Sequence, residues 1–129
     1  MSEYLLDTNY ILRFLLNDIP SQVKIIKDKF LLAKEGKINI TVPYIVFLEL
    51  DFALSKIYQF SKDKIVDKLL SIIASPYLDI EKRYVLLKAV PAYRKFNFSL
   101  IDLLLYFEAN LSGKELLTFD RKLKKLKVD

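Results

Sequence analysis

The chain has 129 residues, the usual size of one domain, with 21 basic against 16 acidic side chains and a net charge of +5. It contains no cysteine, histidine or tryptophan. This excludes a disulfide scaffold, a zinc ribbon, a cysteine nucleophile, a Ser-His-Asp triad and imidazole metal ligands. Chemistry must therefore run on carboxylates, Lys, Arg, Tyr, hydroxyls or a borrowed ion.

The basic excess favours polyanionic partners, and the same excess also serves solubility. No stretch approaches the roughly 18 uninterrupted apolar residues of a membrane span. Met1-Ser2-Glu3 lacks the basic region that opens a signal peptide, so the expected location is cytoplasmic, away from membranes. With two glycines and four prolines, no linker or low-complexity segment divides residues 1–129, and one domain is expected.

In chain order, Tyr4-Leu5-Leu6 reads as a short buried strand. A helical pattern follows over Thr8 to Leu16, broken at Asn17-Asp18 and Pro20. Ser21 is placed to cap a second helix running to Lys34, which Gly36 ends. Ile38, Ile40 and Val42 alternate with Asn39 and Thr41, which marks a second strand. Pro43 suits a helix start, and apolar positions continue from there to Tyr58. Ser61 opens a helix over Ile65 to Ala74, stopped by Pro76. Leu78-Asp79-Ile80 fits an edge strand. Helices follow from Lys82 to Tyr93 and from Ser99 to Leu111, with Gly113 at the end of the latter. Leu116-Leu117-Thr118 reads as a fourth strand and leads into a short basic helix from Arg121. Strands separated by helical crossovers imply an α/β domain of three layers, with a short, mostly parallel central sheet flanked by helices.

Most acids sit among lysines on solvated faces, but four occupy unusual places. Asp7 and Asp120 each follow a strand and precede a helix. There a carboxylate serves equally as a helix cap or as part of a ligand site beyond the carboxyl ends of parallel strands. Glu49 has Ile45, Val46, Phe52 and Ala53 one turn away, a costly setting for an unpaired carboxylate if buried. Asp51 is its rival, because Phe47, Leu48 and Leu54 surround it in the same way. Asp102 interrupts a leucine-rich helix, and Ser99-x-x-Asp102 has the form of a capping box. Short carboxylates that converge repel one another unless a cation neutralises them, and all-oxygen sites suit Mg²⁺ or Mn²⁺. Such a pocket supports metal-assisted phosphodiester hydrolysis.

These segments carry a family resemblance. Leu5-Leu6-Asp7-Thr8-Asn9, Val46-Phe47-Leu48-Glu49-Leu50, Phe98-Ser99-Leu100-Ile101-Asp102 and Leu117-Thr118-Phe119-Asp120-Arg121 resemble the PIN-domain nucleases, and more narrowly the VapC-type toxins of toxin–antitoxin pairs. The resemblance selects Glu49 over Asp51. It implies an endoribonuclease whose acidic site, built from Asp7, Glu49, Asp102 and Asp120, takes Mg²⁺ or Mn²⁺, with Asn9 and Thr118 orienting the acids. It also implies products with a 5′-phosphate and a 3′-hydroxyl, a cognate antitoxin protein, and a homodimer. The leucine- and aromatic-rich helix after Asp102 departs from the alanines common in the family.

The basic residues beside Asp120, notably Arg121, Lys122 and Lys125, are placed either to grip RNA phosphates or to form a solvated helix end. Two other readings stand beside the toxin: an RNA-processing PIN nuclease without an antitoxin, and a catalytically silent PIN binding module.

Overall fold

A computed structural model describes residues 1–128. In chain order it forms β1 (Ser2–Leu5), α1 (Thr8–Leu16), α2 (Pro20–Lys34), β2 (Ile38–Val42) and α3 (Tyr44–Phe52). A π-helical turn over Ala53–Ile57 follows, then α4 (Lys62–Ile73), β3 (Asp79–Ile80), α5 (Arg83–Lys95), α6 (Leu100–Leu111) and α7 (Arg121–Lys125). The strands form one parallel sheet in the order β1-β2-β3, with Tyr4 opposite Ile40 and Val42 opposite Ile80. The α/β class and the parallel sheet flanked by helices are as the sequence implied.

Local chemistry accounts for most boundaries. Asn17 ends α1 in the left-handed conformation, at φ 51°, which asparagine tolerates better than most side chains. Pro20 rather than Ser21 sets the start of α2: it fills the first helical position, where a missing N–H costs nothing, and Ile19 occupies the cap. Ser61 caps α4 as expected, accepting from the Lys64 N–H. After α3 the helix widens instead of stopping, with the Tyr58 N–H reaching the Ala53 carbonyl. Arg83 braces the turn before β3 by donating to the carbonyls of Ile73, Ser75 and Leu78.

The core is contiguous and apolar. Ile40 and Val42 of the central strand are buried together with Ile11, Ile26, Phe47, Leu50, Leu69 and Leu86. α1 packs on α2 and α3, and α5 packs on α4 and α6. Among the described residues Tyr93 is the one fully buried tyrosine, and Tyr10, Tyr44, Tyr77 and Tyr106 pack against the core partly buried.

Two expectations fail, for one reason. Leu116-Leu117-Thr118 is not a strand, and residues 114–120 run as irregular chain. Strand β1 is not buried: all four of its residues are exposed, Leu5 at 74%, and only Leu6 just after it enters the core. A strand with a neighbour on one side only keeps a free edge, and among the described residues β1 pairs with β2 alone. Leu117 at 89% and Phe119 at 101% exposure are left in solvent.

Candidate metal centre

The carboxyl end of β1 leads directly into the first turn of α1, and this junction is the chemical focus. Asp7 holds the N-cap position of α1, yet its side chain makes no capping bond. Its exposed carboxylate is therefore free of the structural duty that would otherwise explain it. The next residue, Thr8, donates its hydroxyl to Glu49 Oε1 at 2.6 Å. Two acids 42 positions apart thus flank one helix turn, whose exposed N–H groups favour negative charge. Thr8 lies within the Asp7-Thr8-Asn9 segment. Its bond to Glu49 is a contact between distant segments that no local pattern signals.

Glu49 is exposed, not buried. The stripe around it, Ile45 and Phe52, also faces solvent. Together with Thr8, Leu48 and Ala53 these side chains line a shallow groove of about 390 Å³. On the other side of the same turn, Asp7 and Asn9 border a second groove of about 450 Å³. Asn9 is an exposed groove residue.

Asp51 takes the buried place that periodicity had offered to either acid. It is half-buried and accepts a hydrogen bond from the Tyr93 hydroxyl at 2.9 Å. Burial pushes its carboxyl above the ordinary value, partly offset by that bond and by Lys62 and Lys56. The Tyr93 phenol is pushed upward by burial and by Asp51. This pair joins α3 to α5 and is a packing feature.

Asp102 lies half-buried on the first turn of α6. The Ser99 hydroxyl caps that helix by accepting from the Asp102 backbone N–H at 3.1 Å, which leaves the cap independent of the Asp102 carboxylate. Lys82 at the start of α5 pairs with Glu108 of α6 and lies 5.1 Å from the Tyr44 ring centre. Burial, with smaller contributions from Glu108 and Tyr84, pushes the Tyr44 phenol up to about 12. The Lys82–Glu108 pair braces α6 against the ends of β2 and β3.

Asp120 does have a capping role: its carboxylate accepts from the Leu123 N–H at 3.0 Å. Thr118 accepts from the Asp120 backbone N–H at 3.1 Å, so it orients that residue through the main chain. Thr118 borders a different groove, with Tyr106 and Asn110 of α6. Arg121, Lys122 and Lys125 are exposed on α7, the latter two in its last turn.

Among the described residues, no three acidic side chains come close enough together to form an ion cage. Mg²⁺ rarely needs one. It is commonly held by one or two carboxylates, with water and substrate phosphates completing its shell. Asp7 and Glu49 are exposed carboxylates on the two sides of the first turn of α1, oxygen donors of the kind such an ion takes.

No helix among the described residues is long and apolar enough to cross a membrane. Among curated proteins and among solved structures, none matches the chain. The family model described as the PIN domain matches residues 4–129, and the chain belongs to the PIN-domain family, a superfamily of nucleases.

Proposed function

We propose that this PIN domain is a Mg²⁺- or Mn²⁺-dependent endoribonuclease and the toxin of a toxin–antitoxin pair. The observation that carries the reading is the first turn of α1. There Asp7 holds a cap position without capping, and the next residue, Thr8, tethers Glu49 to the same turn.

In this reading Asp7 and Glu49 are the primary ion ligands. Asp102 and Asp120 are the further acids that this reading assigns to the ion. A divalent ion held by these carboxylates would supply neutralisation of phosphate oxygens and a lowered pKa for an attacking water. Thr8 fixes the Glu49 carboxylate, and Asn9 offers a carboxamide beside Asp7. Arg121, Lys122 and Lys125 lie next to Asp120 in sequence, where they supply phosphate contacts. A cognate antitoxin would cover the acidic end with a cationic side chain, and a second copy would form a homodimer.

The alternative is a catalytically silent binding module. The capping bond of Asp120 favours it, because a carboxylate engaged with its own helix is not free to hold an ion.

Incubating the purified chain with tRNA and rRNA separates the two. Cleavage absent in EDTA and restored by Mn²⁺ or Mg²⁺, with 5′-phosphate ends, supports the nuclease. RNA that stays intact at every ion concentration overturns it.

A further inference from the structure

The groove of about 450 Å³ beside Asp7 falls within the roughly 300–1,000 Å³ typical of small-ligand sites. Its floor is Leu6, Ile26 and Ile40, all buried. One wall is β1, through Tyr4 and Leu5. The other is α2, through Gln22, Ile25 and Lys29, and α1 closes the end with Asn9, Tyr10 and Arg13. Tyr4, Leu5 and Ile25 are exposed at its rim.

The chemistry of this lining is specific. Apolar floor and aromatic rings suit a flat heterocycle, and the exposed carboxamides of Asn9 and Gln22 suit its hydrogen-bonding edge. Asp7, Arg13 and Lys29 line the groove, and with Arg13 paired to Asp18 it is Lys29 that is left to meet an anion. Lys29 stands 4.6 Å from the Tyr4 ring centre and donates to its hydroxyl at 3.3 Å. Burial raises the Tyr10 phenol, against a smaller lowering by Lys29, so it stays a neutral hydroxyl. Arg13 is held by Asp18 at 2.6 Å and by the Tyr58 hydroxyl at 2.9 Å, and its Nε is buried with no partner.

We propose that this groove is a nucleobase subsite, which seats one base of single-stranded RNA next to the phosphate presented to Asp7. Asn9 and Gln22 read the edge of the base, Tyr4 and Tyr10 supply stacking surface, and Lys29 meets the adjoining phosphate. The subsite gives the nuclease a base preference at one position beside the cut. It deepens the nuclease reading and rests on it.

The test uses the full chain in EDTA, so that binding is read apart from cleavage. Each of the four 5′-mononucleotides is titrated while the signals of Tyr4, Tyr10 and Ile25 are followed by NMR. Shifts confined to the groove, stronger for one base and weakened about fivefold or more in Gln22→Ala and Lys29→Ala, support the subsite. In cleavage assays Gln22→Ala should raise KM or alter the base at the cut site, with kcat retained. Wild-type nucleotide affinity and cut-site preference in both variants overturn the subsite while leaving the nuclease standing. If instead a synthetic peptide of residues 114–120 moves these signals and protects the β1 amides from exchange, while nucleotides do neither, the groove is a strand-docking edge and the subsite is overturned. Groove-confined nucleotide shifts from a chain that never cuts RNA count against the nuclease reading alone.

Discussion

The Thr8 hydroxyl donates to the Glu49 carboxylate at 2.6 Å, locking the first turn of α1 to the middle of α3. Both groups lie at the surface, so solvent screening limits what the bond adds to stability. Its importance is positional. Thr8→Val should shift stability by less than about 1 kcal/mol while lowering RNA cleavage at least tenfold. Thr8→Ser, which keeps the donor, should restore most of the rate. Melting curves and initial rates on one RNA substrate check this, and full activity in Thr8→Val would remove Thr8 from the site.

Asp7 and Asp120 occupy the same kind of position and behave differently. Asp7 caps nothing, whereas Asp120 accepts from the Leu123 N–H. Asp7→Asn should therefore leave the melting temperature unchanged and reduce cleavage by two orders of magnitude or more. Asp120→Ala should lose about 1 kcal/mol through the cap, and Asp120→Asn should not, since asparagine caps equally well. If Asp120 is also an ion ligand, Asp120→Asn loses cleavage despite its intact cap. Unfolding curves beside cleavage rates separate the two roles.

What the sequence made legible follows how local each cause is. Helix α1 was readable over Thr8 to Leu16 because its start at Asp7 and its stop at Asn17 are written in adjacent residues. The choice between Glu49 and Asp51 was not. Helix α3 is apolar nearly all round, and its buried side is set by packing against α1, α4 and α6, with the Tyr93–Asp51 hydrogen bond reaching α5 at its border. The side bearing Glu49, Ile45 and Phe52 is left to solvent, so the burial cost foreseen for Glu49 falls on Asp51 instead. The fourth strand failed for a related reason. Leu116 to Phe119 has strand-forming side chains, but a strand exists only where a second edge accepts it, and that pairing is non-local.

The Asp51–Tyr93 pair gives a pH dependence whose sign is fixed. Burial raises the folded Asp51 carboxyl above its ordinary value of 3.8. Folding thus favours the protonated form: its contribution is complete below the ordinary value and is lost as pH rises through the raised one. Asp51→Asn has no proton to lose and keeps an acceptor for Tyr93. It should flatten the decline in stability from about pH 4 upward and equal or exceed wild type near neutrality. Tyr93→Phe, which strands a half-buried carboxylate, should cost about 1–2 kcal/mol at neutral pH and less in acid. Denaturant unfolding across this range is the measurement, and a steeper decline in Asp51→Asn would contradict the assignment.

Helix α6 allows a structural and a chemical role to be tested on neighbouring residues. Ser99 supplies the cap and receives the backbone N–H of Asp102, so the helix start does not depend on the Asp102 carboxylate. Ser99→Ala should destabilise the fold by about 1 kcal/mol and leave cleavage per folded molecule near wild type. Asp102→Asn should leave stability in metal-free buffer near wild type, because the cap of α6 is made by the Ser99 hydroxyl and not by this carboxylate. Its cleavage should fall by two orders of magnitude or more, and Mn²⁺ should stabilise it less than it stabilises the wild type. A clear stability loss in Asp102→Asn with cleavage retained would make that carboxylate part of the capping box. The acidic set would then shrink to residues flanking the first turn of α1.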